Sequence, residues 1–95
     1  MRIAKKQLDF LKHEVKKYAP EAKLYLFGSR ANDQKRGGDI DIMILTNEAF
    51  PLEQKWEVKI KFYEKFGDQK IDLITFTFDD QDNFKKLVLL EGLEI

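Results

Sequence analysis

The stretch "LYLFGSRANDQKRGGDIDIMIL", residues 24–45, decides the fold because it contains two apolar runs that are joined by a polar segment. Short apolar runs bounded by glycine predict β-strands, here over residues 23–28 and 39–45. The second strand contains Asp39 and Asp41, although its isoleucines suit a buried position. Charged side chains are rarely buried without a partner, so these two carboxylates require an explanation.

Helices and one further strand are predicted around these two strands. Apolar residues at three- and four-residue spacing predict helices over residues 4–18 and Leu52–Phe66, the latter ending before Gly67. The run at residues 70–78 predicts a third strand. The aspartates that follow suit a helix N-cap, and a last helix is expected to end near Glu91.

The order of these elements predicts an α/β fold of the α+β type, in a single domain over residues 1–95. Strands two and three are joined by a helix, so they form a crossover unit and are expected to be parallel. Strand one must run antiparallel to both if Gly28 is to reach the edge where the aspartates lie. The predicted sheet is therefore small and mixed.

The second predicted helix carries a stripe of apolar residues that other apolar residues widen. The stripe consists of Leu52, Trp56, Ile60 and Tyr63, widened by Val58, Phe62 and Phe66. Because these residues follow helical spacing, we expect Trp56, Phe62 and Phe66 to lie in the core rather than to stack on a base.

Three aspartates are predicted to converge at one edge of the sheet. Side chains alternate along a strand, so Asp39 and Asp41 share a face, and Asp72 lies near the start of strand three. At about 5 Å and an effective dielectric of ~20, each pair of carboxylates would cost on the order of 3 kcal/mol. A divalent cation, a raised pKa or wide exposure must relieve this repulsion. Mg²⁺ suits such oxygen ligands, and two ions could align an attacking and a leaving oxygen.

The end of strand one offers groups that suit phosphate. Gly28 lets the backbone approach closely, and Ser29 can donate from its N–H and hydroxyl groups. Arg30 could place positive charge on a transferring or leaving group.

The face of the sheet that carries Asp41 is also partly apolar, since Met43 and Leu45 share it. We expect the last helix to cover this face in part and to leave a protein interface. The residues of that helix suited to the cover are Phe84, Leu87, Val88 and Leu90.

The motifs "FGSR", "DIDIMIL" and "KIDLITF", in this order on predicted strands, resemble the nucleotidyltransferase superfamily that includes polymerase β. At this length the chain most resembles the minimal nucleotidyltransferase (MNT) family, and its last residues, "LLEGLEI", resemble the C-terminal end of that family. The resemblance implies that Asp39, Asp41 and Asp72 are catalytic and bind two Mg²⁺ ions. It also implies that the segment from Gly28 to Arg30 holds a nucleoside triphosphate.

Members of this superfamily transfer a nucleoside monophosphate to a hydroxyl group and release pyrophosphate. MNT proteins are commonly encoded beside a helical HEPN-domain protein and act as antitoxins, several of them by adding AMP to a tyrosine. The resemblance therefore implies transfer of AMP from ATP to a HEPN-domain partner. The alternative is an antitoxin that neutralises its partner by forming a complex, without turnover. Asp33 favours this alternative because an acid near a triphosphate is unfavourable.

Other classes of protein receive no support from the sequence. The phosphate-binding motifs of P-loop and Rossmann proteins are missing, and a net charge of zero without interleaved aromatics argues against direct nucleic-acid binding. No apolar run approaches the roughly 20 residues that span a membrane. The absence of cysteine fits the cytoplasm, where we expect this protein. The sequence is also compatible with a homo-oligomer.

Overall fold

The structure of this chain, a computed structural model, describes residues 4–28, 39–67 and 69–95. Within these ranges it contains three helices and four strands. The helices are α1 (Lys5–Tyr18), α2 (Leu52–Phe66) and α3 (Asn83–Glu91), and the strands are β1 (Lys23–Phe27), β2 (Ile40–Thr46), β3 (Ile71–Thr77) and β4 (Leu93–Glu94). None of the described helices is long and apolar enough to cross a membrane.

The four strands form one mixed sheet in the order β3-β2-β1-β4. Strand β1 pairs antiparallel with β2, and β2 pairs parallel with β3 across the α2 crossover. The predicted fold class and the predicted strand directions are therefore confirmed.

Strand β4 was not predicted. It pairs antiparallel with β1 over Leu26–Leu93 and Tyr25–Glu94, and the N–H of Ile95 donates to the carbonyl of Leu24 at 2.9 Å. Two residues are too few to show an alternating pattern in the sequence. The strand forms because the outer edge of β1 presents backbone groups that need partners.

Helices α1 and α2 cover one face of the sheet and enclose the larger core. Alternation along β2 directs its isoleucines to this face, where they are fully buried. Around them pack side chains from both helices and the neighbouring strands, among them Leu11, Val15, Leu24, Leu26, Val58, Phe62 and Leu73.

Helix α3 covers part of the opposite face, as expected. Val88 is buried there with Met43 and Leu45, and the ring of Phe84 packs edge-on against Phe27 with centroids 5.6 Å apart. Leu90 on the outer side of α3 is 83% exposed.

The prediction that Trp56 lies in the core is wrong. Phe62 is fully buried and Phe66 packs against the core, but Trp56 is 53% exposed. Helix α2 contacts the sheet through the side that carries Val58 and Phe62, so the stripe on its next side has no surface of this chain to cover among the described residues. The other residues of the stripe, Leu52, Ile60 and Tyr63, are exposed as well.

The turn between β3 and α3 is organised by one buried lysine. The ammonium of Lys85 donates to the backbone carbonyls of Thr77 at 2.9 Å, Phe78 at 2.5 Å and Asp80 at 2.8 Å. Asp82 caps the helix by accepting from the N–H of Phe84 at 2.8 Å, which confirms the predicted aspartate N-cap.

Candidate active site

Asp41 and Asp72 lie side by side on neighbouring strands. They are paired residues in the parallel register of β2 and β3, and Phe27 on β1 is the partner of Asp41 on the other side. Adjacent strands are about 4.8 Å apart, so the two carboxylates leave the same face of the sheet as immediate neighbours. The strand alternation predicted this arrangement.

Gly28 stands directly against the carboxylate of Asp41. Its φ is +73°, and a Cβ atom built there would lie 2.5 Å from Oδ2 of Asp41. Any other residue would meet both the strain of this backbone conformation and the carboxylate. The antiparallel direction of β1 brings this glycine to the edge where Asp41 and Asp72 lie, as the sequence predicted.

Burial raises the pKa of Asp41 above its usual value, and the neighbouring charges of Asp72 and Asp39 raise it further. Lys70 acts in the opposite direction but does not compensate. The structure therefore holds a carboxylate whose negative charge is under-compensated. A bound cation would supply the missing compensation.

Asp39 lies just before β2, half-exposed, with its Oδ2 3.8 Å from the Nζ of Lys70. In residues 4–28, 39–67 and 69–95, no three His, Cys, Asp or Glu side chains are grouped closely enough to hold a metal ion together. The structure thus brings Asp41 and Asp72 together and turns Asp39 toward a lysine.

The pair formed by Asp41 and Asp72 fits Mg²⁺ in number and in chemistry. Mg²⁺ is commonly held by one or two carboxylates, with water and substrate phosphates completing its shell. Burial, together with the neighbouring charge of Asp72, raises the pKa of Asp41, and a bound cation would offset both effects. Asp39 lies beside this pair with its Oδ2 facing Lys70.

The remaining predicted phosphate-binding residues, Ser29 and Arg30, lie outside the described residues, as does Asp33. Of the residues predicted to form the site, the structure therefore describes Gly28, Asp39, Asp41 and Asp72.

A hollow of about 440 Å³ beside the two aspartates contains residues that the sequence did not assign to the site. Trp56 lines this hollow together with Lys55 and Lys59 of the same helix. The sequence held a signal for Trp56, because the apolar pattern of α2 is wider than the single face that a helix packs on a sheet.

Residues 9–95 match the family model described as "Polymerase beta, Nucleotidyltransferase". No curated protein matches the chain.

Solved structures with the same fold include a mutant of the toxin–antitoxin complex MntA–HpeT, 23% identical with a TM-score of 0.66, covering 95% of this chain and 68% of that chain. A protein from Shewanella oneidensis is 18% identical with a TM-score of 0.66, covering 97% and 71% of the two chains. A third structure is the tri-AMPylated Shewanella oneidensis HEPN toxin in complex with MNT antitoxin, at 23% identity and a TM-score of 0.61, covering 93% and 70%. The chain therefore resembles MNT proteins in its fold as well as in its sequence motifs.

Proposed function

Because this chain belongs to the polymerase β nucleotidyltransferase family, we propose that it is a Mg²⁺-dependent enzyme that moves AMP from ATP to a hydroxyl group of a HEPN-type toxin. The observation that carries this proposal is the pair Asp41 and Asp72, which are partners in the register of β2 and β3, with the carboxylate of Asp41 directly against Gly28. The choice of AMP and of the partner is supported by the similar fold of a complex described as a tri-AMPylated HEPN toxin with MNT antitoxin.

The three aspartates have different parts in this proposal. Asp41 and Asp72 would hold Mg²⁺, and the half-exposed Asp39, whose Oδ2 now faces Lys70, would supply a further carboxylate. When bound, Mg²⁺ neutralises charge on the phosphates and on the oxygens that attack and leave. Asp72, on the outer strand of the pair, also orients the acceptor hydroxyl and takes up its proton.

The reaction is a single displacement at the α-phosphorus of ATP. The hydroxyl oxygen of the partner forms the new bond to this phosphorus, and the bond to the oxygen that bridges the α- and β-phosphates breaks. Pyrophosphate leaves, held by the backbone that follows Gly28 and by Ser29 and Arg30. The hydroxyl proton passes to the carboxylate of Asp72 and then to solvent.

Transfer of label from [α-³²P]ATP tests the proposal. The purified chain is incubated with Mg²⁺ and the protein encoded by the adjacent gene. We expect the partner to become labelled, and Asp41→Asn to reduce the rate by roughly 100-fold or more, because even outer-shell changes cost roughly 10–100-fold at metal sites. Label from [γ-³²P]ATP should not appear on the partner. Labelling that persists undiminished in Asp41→Asn contradicts the proposal.

A non-catalytic antitoxin is the second candidate, and one observation favours it. Asp39 is paired with Lys70, and the described residues do not gather three carboxylates into a metal site. This candidate predicts that a variant with both Asp39→Asn and Asp41→Asn still binds the partner and still neutralises it in cells. Loss of neutralisation with the complex intact would exclude it and leave the enzyme.

A further inference from the structure

Helix α2 presents an exposed row of large apolar side chains, here called the α2 stripe: Leu52, Trp56, Ile60 and Tyr63. Their exposed fractions are 63%, 53%, 51% and 59%. Soluble monomers rarely leave large contiguous apolar patches open, and such patches commonly mark sites of interaction. The spacing of the four residues extends the stripe for about 16 Å along the helix axis, three helical turns, which is longer than a nucleobase.

The α2 stripe is continuous with the two aspartates. Trp56 and Lys59 line the hollow of about 440 Å³ that also contains Asp41 and Asp72. The same two side chains line a second hollow of about 340 Å³, which continues along Ile60 and Tyr63. A molecule lying on the stripe can therefore reach the carboxylates without crossing another part of the described surface.

The stripe lies on the acceptor side of the proposed reaction. Gly28 stands on the β1 side of Asp41, where the donor phosphates are proposed to bind, whereas Asp72 stands on the β3 side. Strand β3 is at the edge of the sheet, and the hollow beside α2 includes its residues Leu73 and Ile74. A hydroxyl that approaches Asp72 from outside the sheet passes over this edge.

Charge is distributed differently along the two sides of the stripe. Positions one residue before Trp56 and Ile60 hold Lys55 and Lys59, and both line the hollow near the aspartates. The opposite side carries the exposed glutamates Glu53, Glu57 and Glu64. Lys59 lies over the ring of Trp56, with Nζ 5.2 Å from the ring centroid. A complementary partner has an apolar row with acids along one side and bases along the other.

We propose that the α2 stripe is the docking surface for the protein that accepts AMP, and that it binds an amphipathic helix of that protein with this charge pattern. The inference rests on the proposed function, because it takes the acceptor to be a protein. Docking of this helix over the edge of β3 brings an acceptor hydroxyl to Asp72.

The single tryptophan of the chain provides a direct test. Biosynthetic 5-fluorotryptophan gives one ¹⁹F signal, from Trp56, and the protein encoded by the adjacent gene is titrated into the labelled chain as the partner. We expect a saturable change of this signal, and no change when ATP and Mg²⁺ are added alone. In transfer assays, Trp56→Ala and Ile60→Glu should raise the KM for the partner by roughly 30-fold and leave the KM for ATP unchanged.

Leu90→Glu is the control, because Leu90 is an apolar residue on α3 that is even more exposed than the stripe residues, and this variant should leave both KM values unchanged. A signal that moves with the partner while no AMP is transferred refutes the proposed function and keeps the docking surface. Transfer with an unchanged partner KM in both stripe variants refutes the docking surface and keeps the function. A signal that responds to ATP alone, responds only to the concentration of this chain, or does not respond to the partner also refutes the docking surface.

Discussion

At the scale of the residue, Gly28 shows why the candidate site needs one amino acid at one position. The glycine directly follows β1 with a φ of +73°, and its missing side chain leaves the space that the carboxylate of Asp41 occupies. From the sequence, Gly28 was predicted to let the backbone approach a phosphate group closely. The contact with Asp41 depends on the antiparallel pairing of β1 and β2, which places residues separated by thirteen positions against each other.

Gly28→Ala and Gly67→Ala form a matched pair of substitutions. Both glycines have positive φ, but a Cβ atom at Gly67 would meet no atom within 4 Å. In urea denaturation Gly67→Ala should destabilise the protein by about 1–3 kcal/mol through backbone strain, and Gly28→Ala should cost more, because its Cβ atom also meets the carboxylate of Asp41. Only Gly28→Ala should reduce AMP transfer, by roughly 100-fold, because it displaces the carboxylate of Asp41. Equal transfer rates for the two variants would show that this contact does not matter for the reaction.

The raised pKa of Asp41 predicts how stability depends on pH when no metal is bound. The folded state favours the protonated form, so stability decreases as pH rises through the folded pKa. Asp41→Asn removes this cost and should raise Tm at pH 7 in EDTA by a few degrees. The gain should shrink as pH falls toward 3.8, the usual pKa of this group. A variant that melts below the wild type at pH 7 contradicts the prediction.

At the scale of the element, Lys85 shows how α3 is attached to the sheet. Its ammonium is buried and binds three carbonyls of the turn after β3, and Val88 of the same helix packs on Met43. The polar bonds fix the start of the helix, and the apolar contact fixes its side. Nothing in the sequence distinguished Lys85 from the neighbouring Lys86, because the difference is which side of α3 meets the sheet.

Lys85→Met should destabilise the protein by about 1–3 kcal/mol, because the methionine keeps the apolar stem but leaves the carbonyls of the turn without their donor. Urea denaturation followed by circular dichroism measures this change. Lys86→Met, on the exposed side of the helix, should change the free energy of unfolding by less than about 0.5 kcal/mol. Equal effects of the two substitutions would mean that the buried ammonium does not stabilise the turn.

Helix α2 marks the limit of prediction at this scale. Periodicity predicted its bounds correctly, because helical spacing and Gly67 are both local features. Periodicity could not tell which apolar side faces the sheet, since Val58 and Phe62 lie on one side and Trp56 and Ile60 on the next. In the structure the side with Val58 and Phe62 packs on the sheet, and the side with Trp56 and Ile60 is exposed as part of the α2 stripe.

At the scale of the whole molecule, both faces of one sheet carry a core. Val15 and Val58 lie in the core beneath α1 and α2, and Val88 lies in the smaller cluster beneath α3. The two clusters share strand β2, whose residues alternate between them. The prediction of a single domain over residues 1–95 therefore has a direct experimental consequence.

The valine methyl signals should disappear together during unfolding. In NMR spectra recorded across a urea series, Val15, Val58 and Val88 should give the same midpoint, equal to that of circular dichroism, because small single domains unfold cooperatively. Separate unfolding of α3 would appear as an earlier midpoint for Val88 alone. That result would contradict the single-domain prediction.

The sequence by itself determined the helices, the three longer strands, their directions and the face on which Asp41 and Asp72 stand. The helices and strands follow from local periodicity and turn residues, and the parallel pairing of β2 with β3 follows from the helix that joins them. The antiparallel direction of β1 was predicted because Gly28 has to reach the edge where the aspartates lie. Only the tertiary structure decided the pairing of β4 with β1, the ion pair of Asp39 with Lys70, and the exposure of Trp56. Each of these features depends on which surfaces of segments far apart in the sequence pack against each other, and no local sequence pattern contains that information.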